Sequence, residues 1–100
     1  MLGGICQMRE KEIEKKLTQA VKQSGGICPK LVSPGFDGMP DRMVLLPDGH
    51  MGFVEVKAPG EKPRQLQLSR HRHLRRLGFK VYVLDDTGQI GGILDEIRTP

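Results

Sequence analysis

Two acidic residues and a lysine fall in a pattern that could act on phosphate. The strand-like runs 43–46 and 51–56 flank a Pro-Asp-Gly sequence, which is typical of a tight turn with a left-handed glycine at its third position. Counting outward from such a three-residue turn places Asp41 opposite Glu55 on neighbouring strands. Lys57 follows two residues after Glu55, so the two side chains share one face of the sheet.

Two carboxylates one strand apart repel each other unless a proton or a cation lies between them. Oxygen ligands of this kind suit Mg²⁺ or Mn²⁺, which can activate a water and polarise a phosphoryl oxygen. A neighbouring lysine can then hold the water or the developing negative charge. Asp41, Glu55 and Lys57 therefore predict hydrolysis of a phosphodiester bond.

The same register divides the apolar side chains of the hairpin between two faces. The alternation of a strand predicts one face with Met43, Leu45, Met51, Phe53, Glu55 and Lys57, and an opposite face with Val44, Leu46, Val54 and Val56. Both faces are apolar enough to require a covering helix. A bulge at the turn would shift this register by one residue.

The remaining elements are read from periodicity and from glycine and proline. We expect a helix over 8–24, a strand over 28–33, a loop over 34–40, the hairpin, a basic helix lined by Leu66, Leu74 and Leu77 and ended by Gly78, a strand over 79–84, and a short helix over 90–97. A strand, helix and strand in sequence favour a parallel pair beside the antiparallel hairpin. The sequence thus predicts an α/β fold with a mixed sheet flanked by helices.

Several of these segments together resemble a known nuclease family. The pairs Pro40-Asp41 and Glu55-Val56-Lys57 are similar to the PD-(D/E)xK motif, and the stretches 38–42, 53–60, 63–67 and 77–83 resemble its VRR-NUC branch. The resemblance spans most of the chain. It implies a restriction-endonuclease-like αβββαβ core and a metal-dependent nuclease. Within the family, the chain resembles the stand-alone, phage-like type.

The resemblance also assigns roles to particular residues. It implies that Asp41 and Glu55 bind the metal with the Val56 carbonyl, that Lys57 is catalytic, and that Gln67 and a glutamate of the first helix complete the site. Glu14 is the best match for that glutamate and Glu10 is the alternative, although alternate glutamates are also typical of a solvated helix start. The resemblance to stand-alone members also implies a homodimer that acts on branched DNA, above all on four-way (Holliday) junctions.

Basic residues cluster on the second helix. From Lys62 to Lys80 there are seven lysines and arginines and no acid. A solvated helix face is one interpretation of this pattern, and contacts to phosphate are the second. The candidate DNA-binding residues are Lys30, Phe36, Arg42, Lys62, Arg64, Arg70, Arg72, Arg75 and Arg76. His71 and His73 lie two apart on a helix, so they are a poor metal pair, and we expect them to contact solvent or phosphate.

Length and composition fit one domain over 1–100, with 37% hydrophobic residues and a net charge of +4. Cys6 and Cys28 form neither a CxxC pair nor a disulfide framework. We expect no membrane span, no signal peptide, no organic cofactor, and action in the cytoplasm of a bacterium or phage-infected cell. Two alternatives remain: a non-catalytic nucleic-acid-binding or scaffold subunit that keeps the nuclease fold, and a nuclease of RNA or of linear DNA ends.

Overall fold

A computed structural model describes residues 9–100 of the chain. Over this range the chain forms three α-helices, three β-strands and two short 3-10 turns. The elements are α1 (Glu10–Gln23), β1 (Arg42–Leu45), a 3-10 turn (Pro47–Gly49), β2 (Met51–Val56), α2 (Gln65–Arg76), β3 (Val81–Leu84), a second 3-10 turn (Thr87–Gln89) and α3 (Ile90–Arg98). Cys6 and the first residue of the helix expected over 8–24 lie outside the described residues.

The sheet is mixed, as predicted. Its strand order is β1-β2-β3, with β1 antiparallel to β2 and β2 parallel to β3. Helix α2 makes the crossover between the parallel pair, because parallel neighbours cannot be joined by a tight turn. The central strand β2 is therefore the strand that carries Glu55.

The hairpin has the predicted register, although its turn differs in one residue. Met43 pairs with Phe53, and the Leu46 N–H donates to the His50 carbonyl at 2.8 Å, so no bulge shifts the count. Asp48, expected to be right-handed, has φ 67° and precedes a glycine that is also left-handed. Aspartate tolerates this conformation because its short polar side chain can bond locally.

The expected strand over 28–33 is replaced by two isolated bridges to β1. Ile27 bridges Leu45 and Lys30 bridges Arg42, both antiparallel. Between them the Met43 N–H donates to the Pro29 carbonyl at 3.1 Å, but proline has no N–H to return the bond. The segment thus lies along β1 without forming a continuous ladder.

Each face of the sheet packs on its own group of side chains, divided as the alternation predicted. Helices α1 and α3 cover Val44, Leu46, Val54 and Val56, whereas Leu74 of α2 packs with Phe53 and Val81. Gly52 allows α3 to approach β2 closely, since a Cβ there would lie 2.8 Å from Ile97 Cγ1. Glu55, between Val54 and Val56 in sequence, faces α2.

The buried stripe of α2 is not the one expected. Leu66 and Leu77 are 53% and 61% exposed, which corrects their assignment to the core-facing side. The buried residues of α2 are Gln67, His71 and Leu74, spaced i, i+4 and i+7. Two of the three side chains that this helix turns towards the sheet are therefore polar, and both lie beside the candidate site.

Candidate active site

The centre of the site is the Glu55 carboxylate on β2. Its side chain is 1% exposed. The Gln67 amide Nε2 donates to Glu55 Oε2 at 2.8 Å, and the Lys57 Nζ lies 3.5 Å from the same oxygen. Glu55 Oε1 has no hydrogen-bond partner among the described residues. A buried carboxylate with one unsatisfied oxygen is costly unless a further ligand uses it.

Gln67 is held in one orientation by the start of α2. Its Oε1 accepts a hydrogen bond from the Arg64 N–H at 2.8 Å, in a capping arrangement at the third residue of the helix. With the carbonyl oxygen committed there, the amide nitrogen points to Glu55. The Gln67 side chain is buried on the side of α2 that faces the sheet.

Asp41 lies at the neighbouring position just before β1. Its Oδ2 accepts a hydrogen bond from the Val56 N–H at 2.9 Å. Burial raises the pKa of Asp41 to about 6; the Val56 bond lowers it, the charges of Glu55 and Glu10 raise it, and Lys57 lowers it. Two carboxylates, Asp41 and Glu55, thus lie close enough to affect each other's charge, which is a setting suited to a cation.

The Val56 carbonyl lacks its usual partner in the sheet. The Lys57 N–H donates to the Leu84 carbonyl of β3 at 2.9 Å. The Val56 carbonyl belongs to the same peptide group and points the opposite way, towards β1. Continuing the register places Pro40 opposite Val56, and proline has no N–H to donate. The Val56 carbonyl is therefore left available at the same edge as the two carboxylates.

Two glutamates of α1 border this edge. A cleft of about 600 Å³ is lined by Glu10, Glu14, Asp41 and the segment 30–34. Glu14 Oε2 accepts from the Arg42 Nε at 2.9 Å, and Arg42 Nη1 also donates to the Cys28 carbonyl at 2.8 Å. Glu10 is exposed and contributes to the field at Asp41. Both candidates for the first-helix glutamate thus lie near the site. Glu14 is paired with Arg42, and the charge of Glu10 raises the pKa of Asp41.

Sequence reasoning missed His71. The expectation that it contacts solvent or phosphate is wrong, because the side chain is fully buried and its Nε2 lies 3.8 Å from Glu55 Oε1. The spacing contained the signal: His71 follows Gln67 by four residues and precedes Leu74 by three, so it shares their face. His73, by contrast, is exposed, with Nδ1 3.4 Å from the Arg70 guanidinium.

Comparison with known proteins identifies the family. A search of protein-family models found none that matches. The chain is 55% identical over 78 residues to the protein named "Putative nuclease p44" of Acyrthosiphon pisum secondary endosymbiont phage 1, a match that covers 78% of this chain and 84% of that protein. A solved structure described as a VRR_NUC domain superposes with a TM-score of 0.80 at 32% identity, covering 86% of this chain and 94% of the other.

The chain belongs to the VRR-NUC family of nucleases. The family resemblance drawn from the motifs is thereby confirmed, as is the fold class. Within residues 9–100 no helix is long and apolar enough to cross a membrane.

The oxygen atoms at the edge of the VRR-NUC sheet fit a hard divalent cation. The donors are carboxylate oxygens of Asp41 and Glu55 and the Val56 carbonyl, and Mg²⁺ and Mn²⁺ prefer such ligands. Within the described part of the chain no three His, Cys, Asp or Glu side chains converge as a metal cluster. Two carboxylates with one carbonyl leave the other positions to water and phosphate, as is usual for Mg²⁺.

The candidate DNA-binding residues fall into three groups. The first is exposed at the surface and comprises Lys30, Lys62, Arg64, Arg72, Arg75 and Arg76. Arg75 also donates to the Val81 carbonyl at 2.9 Å. Arg70 and Phe36 form one unit, with the guanidinium 3.8 Å from the ring centroid and Nε 3.2 Å from the Asp37 carbonyl. Arg42 is committed to Glu14, so it is the candidate with the least freedom to meet phosphate.

Proposed function

We propose that this VRR-NUC protein is a Mg²⁺- or Mn²⁺-dependent endonuclease that hydrolyses phosphodiester bonds of DNA. The observation that carries the proposal is the buried Glu55 carboxylate. It has Lys57 at 3.5 Å, Asp41 at the adjacent strand position, and one oxygen that accepts no hydrogen bond from the described residues. A structural glutamate in this position would instead be expected to have both oxygens satisfied.

Asp41, Glu55 and the Val56 carbonyl would hold the cation, as the PD-(D/E)xK resemblance implies. When bound, the ion supplies charge stabilisation at the phosphoryl group and acidifies a water. The protein holds these ligands in place through the Val56 N–H on Asp41 and the Gln67 amide on Glu55. The first-helix glutamate, Glu14 or Glu10, borders the same cleft.

Lys57 supplies the fixed positive charge of the site. Its side chain is 17% exposed, so its ammonium group is partly desolvated beside Glu55. From there it can orient the attacking water by a hydrogen bond and stabilise negative charge on the phosphate as the bond breaks. The contact with Glu55 restricts where the ammonium group can lie.

DNA would approach the site over exposed basic side chains. Lys30 lines the cleft beside Asp41, and Lys62 and Arg64 lie in the segment between Lys57 and α2. Such contacts to phosphate position the strand without reading its sequence. Phe36, half exposed and backed by Arg70, offers a flat surface to an unpaired base.

The preferred substrate in this proposal is a four-way junction, cut by a homodimer. One protomer of 100 residues presents one site, and a symmetric junction has two equivalent strands to cut. The family resemblance supports both parts of this statement. DNA as substrate would place the enzyme in the cytoplasm of a bacterium or phage-infected cell.

A cleavage assay on matched substrates tests the proposal. Four-way junction, splayed duplex, single-stranded and plain duplex DNA are incubated with Mg²⁺, Mn²⁺ or EDTA, and a matched RNA duplex serves as a comparison. We expect metal-dependent paired cuts in the junction and none with EDTA. Binding without cutting under all metal conditions would contradict the nuclease assignment and favour a scaffold role, and preferred cutting of RNA or of linear ends would contradict the substrate.

A further inference from the structure

The buried imidazole of His71 has no role in the mechanism described so far. It is fully buried, and neither ring nitrogen has a hydrogen-bond partner among the described residues. Buried polar groups are nearly always hydrogen-bonded, so two unsatisfied nitrogens in a core point to a specific use. The polar atom facing it is the equally unsatisfied Glu55 Oε1, 3.8 Å from Nε2.

The geometry of Glu55 leaves its two oxygens in different situations. Oε2 accepts a hydrogen bond from the Gln67 amide at 2.8 Å and has the Lys57 ammonium group 3.5 Å away as a counter-charge. Oε1 has His71 Nε2 at 3.8 Å and accepts no hydrogen bond from residues 9–100. A donor on one lone pair of Oε1 would leave the other lone pair available and would prevent the carboxylate from rotating.

We propose that His71 is a positioning residue that donates from Nε2 to Glu55 Oε1 and orients this carboxylate to bind the divalent cation. The present separation is longer than a hydrogen bond, and contacts in catalytic sites commonly tighten when the ligand binds. Gln67 and His71, four residues apart on α2, then form a clamp that grips both oxygens of Glu55 from the buried side. Donors behind a metal-binding carboxylate tune metal affinity in this way.

The inference rests on the proposed metal dependence, and the test separates the two. Mn²⁺ binding is measured by calorimetry without DNA for the wild type and for His71→Met, which has similar volume but no donor. His71→Gln retains an N–H near the position of Nε2. Leu74→Met, at the next buried position of α2, is the matched control.

We expect His71→Met to weaken Mn²⁺ binding by about 10- to 100-fold. His71→Gln should stay within a few-fold of the wild type, and Leu74→Met should equal it. Cleavage by His71→Met should recover at higher Mn²⁺ concentration with an unchanged KM for DNA, an effect that a purely structural residue would not produce. If His71→Met fails to fold, His71→Asn is measured instead. The asparagine side chain is too short for its N–H to reach Glu55, so we expect the same weakening of Mn²⁺ binding.

Three results would overturn the inference. Mn²⁺ binding by folded His71→Met at the wild-type level would show that no donor is needed. Equal weakening in His71→Gln and His71→Met would show that volume or shape matters instead. Absence of Mn²⁺ binding in the wild type would remove the proposed metal dependence itself, and it differs plainly from the other two results.

Discussion

The Val56 N–H donates to Asp41 Oδ2 at 2.9 Å, and this bond takes the place of a ladder bond at the end of the hairpin. It ties the first acidic residue of the motif to the residue between the second acidic residue and the lysine. The register set by one turn, six residues from Asp41 and six from Glu55, therefore decides whether the chemical groups meet. An asparagine at position 41 could still accept this bond, whereas an alanine could not.

The raised pKa of Asp41 predicts a stability change with pH. Because burial and the charges of Glu55 and Glu10 raise its pKa from 3.8 to about 6, the folded chain binds this proton more tightly than the unfolded chain. The contribution of Asp41 to the free energy of unfolding is favourable below pH 4 and is lost as pH rises through about 6. Each pKa unit is worth about 1.4 kcal/mol, and screening of the half-buried carboxyl reduces the total to about 1 to 2 kcal/mol.

Thermal unfolding of the wild type and Asp41→Asn between pH 4 and 8 measures this contribution. The other titrating groups are common to both proteins, so their contributions cancel in the comparison. Above pH 6 the melting temperature of the variant should exceed that of the wild type by several degrees. At pH 7.5 Mn²⁺ should raise the melting temperature of the wild type but not of the variant. A stability difference that is constant with pH would refute the raised pKa.

Lys57→Ala should remove catalysis while leaving DNA binding intact. The ammonium group lies 3.5 Å from Glu55 and provides the positive charge of the site, so its loss should lower kcat by at least about 100- to 1000-fold. Binding of a junction, measured by fluorescence anisotropy, should change by less than threefold. Cleavage at the wild-type rate by this variant would exclude Lys57 from the mechanism.

The exposed arginines of α2 should govern the salt dependence of DNA binding. Replacing Arg72, Arg75 and Arg76 with glutamine should weaken binding to all sequences and reduce the slope of log K against log salt by about 0.9 for each lost phosphate contact. Lys15→Gln with Lys16→Gln is the control, because both lysines lie exposed on α1, across the sheet from α2. An unchanged slope in the triple variant would remove α2 from the DNA-binding surface.

Phe36→Ala should weaken binding to branched or single-stranded DNA more than binding to plain duplex. The ring is 50% exposed and is held by Arg70 at 3.8 Å, so it is ordered before a base arrives. Stacking of one base on an aromatic ring contributes about 1 to 3 kcal/mol, which corresponds to about 5- to 150-fold in affinity. Quenching of 2-aminopurine in the junction arms reports the contact directly, with Phe36→Leu as a control for apolar area. Equal losses on duplex and junction would contradict a stacking role.

The parts of the site that could be predicted are those fixed by strand periodicity. Alternation together with one turn placed Asp41, Glu55 and Lys57 correctly relative to each other, and an error in the conformation of Asp48 did not change the count. The expected strand over 28–33 failed because a single proline interrupts the ladder. The alternation of side chains therefore predicted positions correctly where the strands form a continuous hydrogen-bonded ladder, as in the hairpin.

The helix side of the site could not be predicted in the same way. Apolar periodicity selected Leu66 and Leu77 for the buried side of α2, and both are exposed. The buried positions contain Gln67 and His71 because Glu55 on the facing strand requires polar neighbours. That requirement comes from tertiary contact and is absent from any hydrophobic pattern.

Cleavage of a labelled four-way junction by the wild type and by Glu55→Gln, measured in parallel with junction binding, shows whether the buried carboxylate takes part in the reaction. Glutamine keeps the shape of the buried side chain but removes the charge that would hold the cation. We predict metal-dependent cutting by the wild type, no detectable cutting by Glu55→Gln, and similar junction affinity for both. Cutting by Glu55→Gln at the wild-type rate would contradict this mechanism, because the buried carboxylate would then have no part in the reaction.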